Sequence, residues 1–261
     1  MKQIRISDVT MKQTGADISL SFREKIELSK LLDKLGVTVI ELEPLVQPKI
    51  DALRIKSVAA AVKNSIVAVP VALDSENVRL TWNALKEAKK ARLQVCAPVS
   101  SVQMEYLFHK KPEAMLSAIS KAISACCQLC GDVEFVADDA TRSDPAFLYD
   151  VVAAAIQAGA KTVTVCDTAG AMLPDEFAAF VAGIYENVPA LKEVTLGVSE
   201  QEILKAVEQT VLEICSAERD EMNRIYAKND LATMDRARKS YGVLTNALML
   251  EYNEFLSHIS N

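Results

Sequence analysis

Twelve polar residues fall at or just beyond the ends of this chain's apolar runs: Asp8, Lys12, Gln13, Glu41, Gln103, Asp138, Asp139, Arg142, Asp167, Thr168, Ser199 and Gln201. Lys12 has the widest chemical reach among them. Facing Asp138 it forms a buried ion pair, whereas a lysine whose ammonium is disfavoured by burial suits covalent carbonyl chemistry. Asp139 with Arg142 and Asp167 with Thr168 either shape a binding mouth or tie loops and helix N-termini through side-chain acceptors. Hydrolysis by a Ser/His/Asp triad has no support, because no serine lies in a nucleophile-elbow context. The two histidines, His109 in the basic stretch HKKP and His258 beside the C-terminus, stand away from these positions and read as surface residues. Cys127-x-x-Cys130 has redox or zinc spacing, but it lies in a helical stretch without a second ligand pair, which favours a buried structural role.

The elements that must position these groups repeat one pattern. A short β-branched run alternates with a longer segment of helical period, as in successive βα units on a parallel sheet. Seven strands are readable: IRISDV from Ile4, VTVIEL from Val37, SIVAVPVAL from Ser65, RLQVCAPV from Arg92, DVEFVA from Asp132, KTVTVCD from Lys161 and EVTLGVS from Glu193. Each is a near-continuous apolar run, as expected of strands covered on both faces. Ser21 with Glu24 makes a capping box, Gly36, Gly131 and Gly159 follow helix ends, and Pro145 and Pro174 sit near helix starts. The alternation suits a closed barrel or an open doubly wound sheet. Against the latter, no Gly-rich phosphate loop follows the first strand. Beyond Ser199 only helical period continues, with Leu204, Val207, Val211 and Ile214 on one face and Leu244, Leu248, Tyr252 and Phe255 on another. That segment is expected to cover the open strand edges or to pair with another subunit, making a homo-oligomer.

Composition narrows the setting. Half of the 261 residues are apolar, and the net charge of −6 comes from interspersed acids and bases, without the basic stripe a nucleic acid would need. The N-terminal stretch MKQIRISDVT carries no signal-peptide core, and no apolar run approaches the ~20 residues that span a bilayer. A cytoplasmic protein with no membrane partner is expected, its six cysteines reduced.

Three stretches carry a resemblance. FVADDATRSDPAFLYDVVAAAIQAGAKTVTVCDTAGAMLPDEF, from Phe135 to Phe177, is similar to the fifth and sixth βα units of the metal-dependent barrel family that holds isopropylmalate, citramalate and homocitrate synthases and hydroxymethylglutaryl-CoA lyase. IRISDVTMKQTG through LSKLLDKLGVTVIELE resembles that family's first strand, first helix and second strand, and PVSSVQMEYL from Pro98 its fourth strand and loop. The resemblance implies an α/β fold, a TIM-type parallel βα barrel over residues 1–199. Residues 200–261 would form a helical C-terminal segment in place of the last βα unit. It also implies a divalent-metal acyltransferase or carbon–carbon lyase acting on an acyl-CoA and a small 2-oxo acid, with its site at the C-terminal strand ends.

The matching positions depart from that chemistry. Where the family has Leu-Arg-Asp after its first strand, supplying an Arg for the enolate and a metal-binding Asp, this chain has Met11, Lys12 and Gln13. The family's metal-binding His-x-His falls on Ser199-Glu200-Gln201, its fourth-strand His on Gln103, and its Glu beside the Arg on Asp138. Lys lacks the planar fork of Arg, and Gln offers a hard cation no charge. The expectation is therefore no bound metal or other cofactor, with Lys12, Asp138 and Gln103 at the altered catalytic positions. Asp8, Gln13, Glu41, Arg142, Asp167, Thr168, Ser199 and Gln201 would surround the substrate. The ancestral reaction is lost or replaced, and the alternative to a modified enzyme is a catalytically silent small-acid-binding or regulatory protein acting through its helical segment.

Overall fold

The computed structural model describes residues 5–12, 20–170 and 172–200. The positions Gln13 and Gln201 and the helical segment expected after Ser199 lie outside the described residues. The Cα packing separates Arg5–Glu200 as one unit from residues 1–4 and 201–261 as another. All that follows concerns the first.

The β-branched runs form seven strands at the expected places: β1 (Ser7–Asp8), β2 (Val39–Glu41), β3 (Ile66–Val71), β4 (Ala91–Pro98), β5 (Val133–Asp138), β6 (Thr162–Asp167) and β7 (Thr195–Glu200). Between them stand α1 (Phe22–Leu35), α2 (Pro48–Ala61), α3 (Ser75–Leu85), α4 (Ser101–Tyr106), α5 (Pro112–Cys127), α6 (Pro145–Gln157) and α7 (Pro174–Asn187). All strand pairs are parallel and the order is sequential from β1 to β7. A doubly wound sheet must reverse its order once, and this one does not. Right-handed crossovers that always step the same way put every helix on the same side, so the sheet curls into a half-barrel.

Helix boundaries follow the local chemistry. Ser21 and Glu24 complete the capping box of α1, and Gly36 ends that helix at φ 88°, a left-handed conformation that glycine adopts without a Cβ penalty. Pro145 and Pro174 occupy the first turns of α6 and α7, and Asp144 caps α6 by accepting from Phe147 N at 3.0 Å. In the last turn of α1 the buried Asp33 accepts from the backbone N–H of Lys63 (3.0 Å), Asn64 (2.8 Å) and Ser65 (2.7 Å), where α2 hands over to β3. Burial alone would raise its pKa, but these backbone bonds outweigh it and bring the carboxyl down to about 2. No helix among the described residues is long and apolar enough to cross a membrane.

Strand alternation separates two chemistries. Val67, Val69, Leu93, Val95, Ala97, Val133, Phe135, Ala137, Val163 and Val165 are almost wholly buried and pack in one core with Ile55, Leu85, Ile119, Ile123, Leu148 and Ile184 of the helices. Several of the intervening residues, which turn inward, are polar: Arg92 and Gln94 on β4, Glu134 on β5, Thr162 and Thr164 on β6, with Glu41 on β2. The strands expected to be apolar on both faces therefore differ: β3 (IVAVPV) is apolar throughout, whereas β4, β5 and β6 carry polar residues among the inward-turned Cys96 and Val136.

Candidate functional site

Lys12 reaches the inner face through a short turn. Asp8, at the end of β1, accepts from Thr10 N and Thr10 Oγ1, each at 3.1 Å, and Lys12 N closes the 3-10 turn on Val9 O at 2.9 Å. Met11 is buried in the core, which anchors the turn. The Lys12 ammonium pairs with Glu41 and donates to Gln94 Oε1 at 3.1 Å. Ser7 Oγ donates to the other Glu41 oxygen at 2.5 Å.

From there the bonds run on across the inner face. Gln94 Nε2 donates to Glu134 Oε2 at 3.0 Å, and Arg92 Nη1 donates to the same oxygen at 3.3 Å. Thr164 Oγ1 donates to Glu134 Oε1 at 2.6 Å, and Arg92 Nε to Asp132 at 3.1 Å. Five strands and the first turn thus share one polar chain. The expected Lys12–Asp138 ion pair is not formed; Glu41, on the strand next to β1, takes that role. Burial would lower the Lys12 pKa, but the Glu41 charge chiefly, with lesser help from Cys96 and Glu134, raises it above its ordinary value. The lysine is therefore held as an ammonium, contrary to the alternative of a neutral carbonyl nucleophile. Glu41 is likewise held below its ordinary range, because Lys12 and Ser7 outweigh its burial.

Asp138 ends β5 near this cation without touching it. Among the described residues no donor binds its carboxylate. Burial pushes its pKa up to about 6, with Lys12 opposing and Asp139 assisting. The buried thiols of Cys96 on β4 and Cys166 on β6 are pushed far up by burial, with the Asp138 charge adding, so both stay protonated and unreactive.

The remaining residues hold the mouth together. Asp139, in a left-handed conformation at φ 59°, is fully buried; it accepts from Ser100 Oγ and from Arg142 Nε and Nη2, both at 2.7 Å. Its own N–H donates to Thr168 Oγ1 at 2.8 Å. Asp167, also fully buried, accepts from Thr141 Oγ1 at 2.6 Å and Met172 N at 3.0 Å. Asp167 and Thr168 thus tie the loops after β5 and β6 to each other, and Arg142 braces Asp139 within the first of them. Gln103 lies half-buried in the first turn of α4, and Ser199 stands opposite Cys166 on β7. Of the Cys-x-x-Cys pair only Cys130 is buried, donating to Asp132 O at 3.1 Å; Cys127 is exposed, which corrects the expectation that both are internal. Sequence reasoning missed Ser7, Arg92, Gln94, Glu134 and Thr164. The available signal was polarity at every second residue, Arg92 then Gln94, inside a run read as apolar.

A model of one family, HMGL-like, matches residues 3–218. The chain belongs to the HMGL-like family. Among curated HMGL-like relatives, the 2-isopropylmalate synthase of Carboxydothermus hydrogenoformans is 33% identical over 201 residues, covering 76% of this chain and 39% of the relative. That of Pyrococcus abyssi is 32% identical over 200 residues, covering 76% and 41%. The chain therefore spans about two fifths of the length of these enzymes. In solved structures, the hydroxymethylglutaryl-CoA lyase of Pseudomonas aeruginosa superposes with a TM-score of 0.56 at 16% identity over 74% of this chain and 73% of that one. The HMG-CoA lyase of Brucella melitensis gives 0.56 at 15% over 77% and 81%. These likenesses carry the fold, and the three sequence stretches are similar to the family that matches.

Proposed function

We propose that this HMGL-like chain has given up metal-dependent carbon–carbon bond chemistry. In its place it binds a small 2-oxo acid at the C-terminal mouth of its half-barrel, with Lys12 as the cation. The observation that carries this reading is the pairing of Lys12 with Glu41 and Gln94. In the resemblance, this position supplies an Arg to an oxyanion beside a metal. Here a fixed ammonium stands there, and it repels any second cation. The carboxylates of the inner face are committed, Glu41 to Lys12 and Glu134 to Arg92, Gln94 and Thr164. Ser199 offers a neutral hydroxyl, and among the described residues no group of three or more His, Cys, Asp or Glu side chains could hold a metal ion. That donor set does not suit a divalent ion, so no step is assigned to one.

An ammonium has three donors, and two of those of Lys12 are used; the third is available to a ligand carboxylate. Asp138 is the other ligand-facing group, while Asp8, Arg142, Asp167 and Thr168 hold the turn and loops. Cytoplasmic location and a homo-oligomer belong to the same reading. A second reading, an acyltransferase or lyase still using an acyl-CoA, draws on Asp138, whose raised pKa is that of a working general base. Thermal shift with a panel of 2-oxo acids, together with thiol release from acetyl-CoA, separates the two. We expect metal-independent stabilisation by a 2-oxo acid, abolished in Lys12→Met, and no thiol release with or without magnesium, manganese or zinc. Release that a 2-oxo acid stimulates would establish the enzyme and overturn the proposal.

A further inference from the structure

The helix that follows the first strand stands at the end of its row. β1 is the outermost strand of the sequential sheet, and the helix that α1 packs against is α2. α1 turns Ser29, Leu32 and Asp33 inward. Beside that buried stripe Leu28 is half-buried, and Leu31 and Leu35 keep 61% and 79% of their surface exposed. These leucines recur at i, i+3 and i+7, the spacing of a seam between two helices. Among the described residues α3, α5, α6 and α7 expose no large apolar side chain, so the seam is not the ordinary outer surface of these units.

The charges along the seam change sign from one end to the other. Glu27 lies toward the start of α1 and Lys34 toward its end, and both are exposed. A two-fold axis through the seam sets two copies of α1 antiparallel. The register that brings Leu28 onto Leu31 of the second copy, and Leu31 onto Leu28, also brings Glu27 beside Lys34 on both sides of the axis. Glu27 already pairs with Lys30 of its own helix through one oxygen, at 2.8 Å, which leaves its other oxygen for the second copy. We infer that the leucine flank of α1 is the contact surface of a homodimer, and that its occupant is the same flank of a second copy of this chain. This rests on the homo-oligomer of the proposed reading and not on its small acid. The exposed Ile50 and Leu53 of α2 do not serve the same purpose, because Lys49 and Lys56 flank them, and a two-fold would set like charges together.

Sedimentation velocity of the full chain from about 2 to about 200 µM tests this, since a single helix pair falls well short of the roughly 1,600 Å² of a standard interface and should dissociate in the micromolar range. Wild type should pass from monomer to dimer across that series. Leu31→Glu changes an exposed position that the fold does not need, and it should raise the dimer Kd by at least about tenfold. Glu27→Lys sets like charges together twice and should raise it by about three- to tenfold. Adding Lys34→Glu restores opposite charges and should bring the Kd back to within about twofold of wild type. A chain that stays monomeric throughout, a dimer untouched by Leu31→Glu, or one that Lys34→Glu fails to restore overturns the inference. In each case thermal shift with 2-oxo acids still reads the small-acid proposal separately. The wild-type dilution series needs no variant to fold, and restoration by a second charge reversal is a result that misfolding does not give.

Discussion

Replacing Glu41 by Gln removes the charge that holds Lys12 in place, and the cost can be bracketed from the geometry. The pair is neither dry nor exposed: the side chains retain 26% and 12% of their accessible surface. Breaking a fully buried pair costs about 3–5 kcal/mol and losing an exposed one under about 1 kcal/mol, so Glu41→Gln should cost roughly 2–3 kcal/mol at neutral pH. Lys12→Met should cost a similar amount, because Glu41 is then left with Ser7 alone and Gln94 loses a donor. The double substitution leaves no orphaned charge. Its cost should fall short of the sum by about 2 kcal/mol, which is the coupling a double-mutant cycle reads. Urea unfolding of the four proteins measures it directly. The pH dependence follows from the signs. Glu41, lowered in the fold, contributes fully above its ordinary 4.5 and is lost as pH falls through its folded value. Lys12, raised in the fold, contributes fully below its ordinary 10.5 and is lost as pH rises through its folded value. The coupling should therefore be level between those limits and fade outside them. Costs that add to within about 0.5 kcal/mol at pH 7 would refute the pair as the organiser of the inner face.

Two further substitutions probe the frame around it. Asp33→Asn should cost about 2 kcal/mol at pH 7, since the carboxyl lies near 2 against an ordinary 3.8 and each unit is worth about 1.4 kcal/mol. The gap to wild type should hold above pH 3.8 and close as pH falls toward 2, read from urea midpoints. Gly197→Ala would set a Cβ 2.2 Å from Thr164 Oγ1, forcing that hydroxyl off Glu134, at a cost of about 1–3 kcal/mol. Adding Thr164→Ala should recover part of the loss in thermal melts.

The fold was legible because its signals are local and contiguous. Ser21 with Glu24, Gly36 and Pro145 each act within a few residues of their helix ends, and the long stretch from Phe135 to Phe177 carries two βα units in one piece. The sequential strand order was not local, and it is that order which decides between a curled and a doubly wound sheet. The site was half legible. Lys12 was identified, but with Asp138 as its partner, because both replace polar positions of the family. Its carboxylate is Glu41, which the β1–β2 pairing of Asp8 with Ile40 brings beside the turn. Arg92, Gln94 and Glu134 were hidden by composition. Three polar residues in two strands that are otherwise apolar do not lower the average enough to look like a face, although their spacing of two is that of one.

That division of faces also explains how the chemistry could change while the barrel units stayed. The aliphatic side of β3 to β6 meets the helices and carries the core, and of the altered positions the structure describes, Lys12, Gln103, Asp138 and Ser199, none belongs to that core. On the inner side the requirement is charge balance more than shape, since a buried charge is tolerated only with a partner. Lys12 answers Glu41, and Arg92 answers Glu134 and Asp132. With those cations in place, Asp138 is the carboxyl left over, and burial moves it toward neutrality rather than toward a metal. A divalent ion added here would have to take Glu41 from Lys12 or Glu134 from Arg92, leaving an uncompensated ammonium or guanidinium inside. On the proposed reading Lys12 does more than omit the family's arginine fork, since its charge is already balanced by Glu41. On that reading Asp138, which the described residues leave without a cation partner, is the group open to a ligand.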